Sequence, residues 1–194
     1  MTDSQNPRAR TAGAKRQRLM AAAAQVVHQQ GVERTTIADI ARAADVPTGN
    51  VYYYFKTKDE LVAAALAEHT RQLEIITGEL DRLPDPRERL KRLVQGWVGQ
   101  RELAARYGCP TGTLAAELDK RAEGGLDAEA GSVIRLLLDW VERQFREMGL
   151  PDPDELALTL VGAYQGMSLL TNALRDPEIM ARQGARLTAW LDSL

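Results

Sequence analysis

The sequence predicts an all-α fold, and three observations carry that reading. Aromatic residues make up only 5% of the 194, while Ala, Leu, Glu, Arg and Gln, which enter helices at little cost, are abundant. Apolar residues recur three and four apart, and no stretch alternates in the manner of a half-buried strand. Helix-start signals also repeat: Thr-x-x-acid boxes begin at Thr36 and Thr57, and Asp-Pro pairs stand at Asp85, Asp152 and Asp176. About nine helices are expected, three of them forming a small N-terminal head on a larger body.

Residues 1–12 read as a flexible, mildly basic arm. A first helix is expected from about Gly13, with Leu19, Ala23, Val26 and Val27 on one face and Gly31 as its stop. The second opens at Thr36, whose hydroxyl and Asp39 complete a capping box, and buries Ile37, Ile40, Ala41 and Ala44. It ends near Asp45, because Pro47 disfavours helical geometry at the residue before it. A short third helix runs from Pro47 to about Phe55, and a fourth, boxed by Thr57 and Glu60, is long enough to connect head and body. The Asp-Pro pairs start helices over about 86–107, 153–173 and 177–192, with an Asp cap and a first-turn Pro in each. Short and long helices over 110–120 and 127–148 complete the chain, giving a head over 13–60 and a body over 61–194.

The net charge of −2 hides a split. Residues 1–60 carry nine Lys/Arg against six acids, and residues 61–194 carry sixteen against twenty-one. A basic head on an acidic body suits a polyanion-binding end joined to a part with another task. Cys109 is the only cysteine, so no intrachain disulfide frames the fold. No apolar run approaches a membrane span and the N-terminal stretch lacks the core of a secretion signal, so a cytoplasmic protein without a membrane partner is expected. No enzyme, metal site or cofactor is expected either: His28 and His69 lack partner spacing, and no phosphate-cradling glycine loop is present.

The informative stretch is residues 35–61, TTIADIARAADVPTGNVYYYFKTKDEL. Two short helices here cross at a small residue, Ala41, and are joined by a turn needing left-handed backbone at Asp45 or its neighbour. Val46, Val51 and Phe55 anchor the second helix inward. That leaves Thr48, Gly49, Asn50, Tyr52 and Tyr53 on a polar outer tip, which is what a recognition helix offers the major groove. Lys56 and Lys58 follow at the start of the next helix, placed for phosphate, while Thr36 and Tyr54 are further contact candidates.

This stretch resembles the DNA-binding head of the TetR family of bacterial transcription regulators. The resemblance rests on the capped Thr36-Ile37-x-x-Ile40-Ala41, then Gly49-Asn50-Val51-Tyr52-Tyr53-Tyr54-Phe55, then Lys56-x-Lys58-x-Glu60-Leu61, and covers about residues 15–70. One departure is Asp45, where the family usually has Gly; Asp enters left-handed geometry at modest cost. The resemblance implies a repressor that grips a pseudo-palindromic double-stranded operator as a homodimer and lets go when a small-molecule effector binds the body. It also implies that the last two long helices pair with their copies.

The body sequence is compatible. Leu156, Leu160, Ala163, Tyr164, Met167 and Leu170 line adjoining faces of helix 153–173, where Gly162, Ala163 and Gly166 would admit a close neighbour. Trp97, Tyr107, Trp140, Phe145, Tyr164 and Met167 are the candidates for an apolar effector pocket. The segment GCPTGTLAAEL, residues 108–118, is distinctive, but no ligand follows from it. A helical adaptor that binds partner proteins would share this body composition, yet it leaves the exposed Thr-Gly-Asn-Tyr tip and the basic head without a purpose.

Overall fold

The computed structural model describes residues 7–120 and 125–194, with side chains from Gly13 onward. Its helices are α1 (Pro7–Arg34), α2 (Ile37–Ala43), α3 (Thr48–Tyr54), α4 (Lys58–Leu80), α5 (Pro86–Gly99), α6 (Arg101–Tyr107), α7 (Pro110–Asp119), α8 (Leu126–Glu147), α9 (Pro153–Leu174) and α10 (Pro177–Ser193). Only Gln100 separates α5 from α6, so the expected helix over 86–107 is present with one interruption, and counting the pair once gives nine helices among the described residues. Among the described residues there is no strand, and no helix is long and apolar enough to cross a membrane.

Helix starts follow the caps with some exceptions. Thr36 and Asp39 form the full reciprocal box, and Asp85 and Asp176 accept from the amides of Arg87 and Glu178. Thr57 accepts from the Glu60 amide, but the Glu60 carboxylate reaches one residue further back, to the Lys56 amide at 2.6 Å. Asp152 does not cap: its backbone is left-handed (φ 50, ψ 54) and its side chain makes no cap bond. Pro47 precedes the third helix rather than opening it. The first helix begins at Pro7 and not near Gly13, so residues 7–12 of the expected arm are helical while residues 1–6 lie outside the described residues.

Four apolar clusters hold the molecule together. The head cluster draws Leu19, Ala23 and Val26 from α1, Ile40, Ala41 and Ala44 from α2 and its end, Val51 and Phe55 from α3 and its end, and Leu61 and Ala65 from α4. The main body cluster packs α5, α8, α9 and α10 around Leu90, Trp140, Phe145, Leu160 and Leu191, and reaches Leu73 and Leu80 at the far end of α4. A third cluster spans the seam: Val27 and Val32 of α1 and Val62 and Leu66 of α4 meet Leu114 and Leu118 of α7 and Ala130 and Val133 of α8. The fourth gathers Ala104, Met167 and Met180, with Trp97 and Tyr164 against them. Since α4 contributes to three of these, it ties the head to the body along its whole length. The buried Glu68 carboxylate reinforces this, accepting from Gln17 of α1 at 2.6 Å and from Arg71 and Gln72 of its own helix.

Candidate nucleic-acid interface and the body sites

The turn between α2 and α3 is a complete helix-ending motif. Asp45 carries φ 52, the Asp45 amide donates to Arg42 O at 3.2 Å, and the Val46 amide donates to Ala41 O at 3.0 Å. These two bonds are the Schellman pattern, with Asp45 at the left-handed position that usually takes glycine. Val46 and Ala41, the two positions where this motif usually carries an apolar contact, are both buried in the head cluster. The turn therefore fixes the direction in which α3 leaves.

α3 divides as its sequence suggests. Val51 is wholly covered and Phe55 nearly so, whereas Thr48, Gly49, Asn50, Tyr52 and Tyr53 are exposed, Tyr53 to 76%. Tyr54 is half-buried, packs against the head cluster and meets Tyr53 edge to face with ring centroids 5.1 Å apart. The exposed tip is a short polar and aromatic surface held on a rigid apolar base, which suits contact with base edges. Both lysines beside it are engaged with backbone: Lys56 Nζ donates to Tyr52 O at 2.8 Å and Lys58 Nζ to Glu33 O at 2.9 Å. Thr36 is exposed, but its hydroxyl and amide both donate to Asp39 Oδ2, so it positions α2 and has little left to donate to DNA. Arg42 is a contact candidate that the residue pattern alone did not single out. It stands in the last turn of α2 with 78% of its side chain exposed, paired with Asp39 at 3.2 Å. Its place in the basic head was the available signal.

The six pocket candidates fall into separate places. Trp97 stacks on Tyr164 (centroids 4.2 Å, interplanar 16°), and both pack with Met167. Burial pushes the Tyr164 phenol well above its usual range, helped by the Cys109 thiol hydrogen-bonded to it. Tyr107, two residues before Cys109, sits edge-on to His28 at 5.7 Å and helps line an open depression with Glu102, Arg106 and Arg175. Trp140 and Phe145 belong elsewhere, to the main body core: Trp140 Nε1 donates to Asp81 at 3.0 Å, and Phe145 is fully buried against Trp190.

The fold also joins what looked unrelated along the chain. His28 Nε2 lies 3.0 Å from Gly108 O, and His28 is close enough to His69 to disfavour its protonation. Burial is the larger cause, and it holds the His69 imidazole down at about 4. Among the described residues no group of three or more His, Cys, Asp or Glu could hold a metal ion.

Residues 19–65 match the family model described as bacterial regulatory proteins, tetR family. The chain is 26% identical over 178 residues to an uncharacterized HTH-type transcriptional regulator from the lacX 3' region of Lactococcus lactis subsp. lactis, covering 85% of this chain and 87% of that one. It is 33% identical over 94 residues to the HTH-type transcriptional regulator BetI of Klebsiella pneumoniae (strain 342), spanning 47% of this chain and 48% of BetI. In fold it is similar to a TetR transcriptional regulator from Chloroflexus aurantiacus, with a TM-score of 0.79 at 19% identity over 94% of this chain and 96% of that one.

Proposed function

The head at residues 19–65 makes this chain a tetR-family transcriptional regulator and not an enzyme, and from that premise we propose that it represses by gripping a pseudo-palindromic operator as a homodimer. One observation carries the reading: on a single short helix, Thr48, Gly49, Asn50, Tyr52 and Tyr53 face solvent while Val51 is sealed beneath them. Asn50 and the two tyrosines read base edges; Lys56, Lys58 and Arg42 meet phosphate by exchanging weak backbone or surface pairings for a polyanion.

Pairing of two copies is supported by α9. Leu158, Gly162, Gly166 and Leu169 recur along one face; Leu158 is 52% and Leu169 68% exposed, and nothing approaches either glycine. Leu170 and Leu174 widen the stripe, at 50% and 64%. A two-fold pair through such a face sets two α3 tips about one helical turn of DNA apart, roughly 34 Å. A small-molecule effector binds in the body at the open depression that Tyr107 lines with Glu102, Arg106 and Arg175, and shifts the pair to a state whose tips no longer match that spacing.

Selection from random duplexes, followed by fluorescence anisotropy at two salt concentrations, tests this. A two-fold symmetric motif bound more tightly than random sequence, with affinity falling as salt rises, is the expected result. Equal binding of all sequences, or none, overturns it.

A further inference from the structure

The distinctive segment 108–118 has no part in the interface above, yet it grips the head at two points on one helix. Gly108 O meets His28 Nε2 at 3.0 Å, and the Glu117 carboxylate accepts from the Val32 amide at 2.6 Å. The second contact exists because α1 is broken: Gly31 has φ 81 and ψ 164, which takes the Val32 amide out of the helical ladder and leaves it for another acceptor. A side chain at Gly31 would stand 3.0 Å from both Glu117 oxygens, so glycine serves both the conformation and the approach. Leu114 and Leu118, on the same side of α7, pack with Val27 and Val32 and hold the carboxylate in register.

Beyond Val32 the chain runs directly into the DNA-reading unit. Thr35 Oγ1 donates to Gly31 O at 2.7 Å, Lys58 Nζ donates to Glu33 O, and Thr36 caps α2. On its other face segment 108–118 is pressed against α9, where a Cβ on Gly112 would meet Gln165 Oε1 at 2.5 Å. The same short stretch therefore touches the end of α1 and the helix proposed to pair with a second copy.

We propose that Glu117 is a positioning residue for DNA binding: its carboxylate, capping the broken end of α1 at Val32, sets the angle of the head on the body. The inference rests on the operator-binding reading for its consequence, though the clamp itself does not. A displaced α7 frees the Val32 amide, the head tilts, and two tips at fixed spacing lose their match.

The test compares wild type, Glu117→Ala and Glu117→Gln as full-length protein, using hydrogen exchange by mass spectrometry and anisotropy on the selected operator. Glu117→Ala should speed exchange in residues 28–36, leave peptides of α8 and α9 unchanged, and weaken operator binding roughly fivefold or more. Glu117→Gln keeps an acceptor oxygen and should restore most of both. Should Glu117→Ala fold poorly, Glu117→Asp, whose carboxylate falls one methylene short of the Val32 amide, should give the same local exchange signature in weaker form. Unchanged exchange at 28–36 overturns the clamp, and so does a loss spread over the whole chain that Gln does not rescue. Wild type that prefers no operator sinks the DNA reading instead, while the exchange data still decide the clamp.

Discussion

Tyr53 leaves most of its side chain in water, while Val51, two residues earlier, is covered completely. Solvent exposure separates stability from recognition at these positions. Asn50→Ala or Tyr53→Ala should change folding stability by no more than about 0.5 kcal/mol and weaken specific binding by about 1–3 kcal/mol; thermal melts and operator titrations read the two separately. Lys58→Ala removes a cation without touching a base, so binding to all sequences should drop together and the salt slope should flatten by about one unit. His69 acts on stability instead. Its imidazole is neutral in both states above 6.5, but between 6.5 and about 4 the unfolded chain binds a proton that the folded one refuses. Stability should therefore fall as pH drops through that window, and His69→Gln should flatten the loss in melts at pH 7 and pH 5.

At the level of helices, the caps show how far residue patterns carry. The Thr36 box was legible because both partners lie within four residues and need only their own local geometry; Thr36→Ala should cost about 1 kcal/mol in a denaturant titration. The same logic does not reach Asp152, whose backbone is left-handed and whose side chain makes no cap bond although an Asp-Pro pair stands there as at the other two starts. It half-held at Glu60, where the returning bond goes to Lys56. The exposed tip of α3 was readable because a short helix with inward Val51 and Phe55 leaves its other residues nowhere else to go. The body was less readable: Trp140, Phe145, Trp97 and Tyr164 are all apolar residues on helices, and only tertiary packing sorts the first two into the core and the last two into a stack. Contacts between residues 28 and 108, or 32 and 117, leave no local trace in the sequence.

For the whole molecule, the open face of α9 is the feature a single chain leaves unanswered. Leu169→Asp places a charge in the middle of that stripe and should leave a folded monomer, seen by sedimentation, with operator affinity reduced by far more than any single contact at α3 would explain. The seam cluster, in which Val27 and Val32 of α1 and Val62 and Leu66 of α4 interlock with Leu114, Leu118 and Val133, has another consequence. It limits modularity. A chimaera that grafts this reading unit onto a relative's scaffold cannot be cut simply after α3 or in the first turn of α4, since the graft would carry one half of a greasy joint to a mismatched other half. Only exchanges that move α7 and the start of α8 along with the donor's N-terminal third should express as well-behaved hybrids.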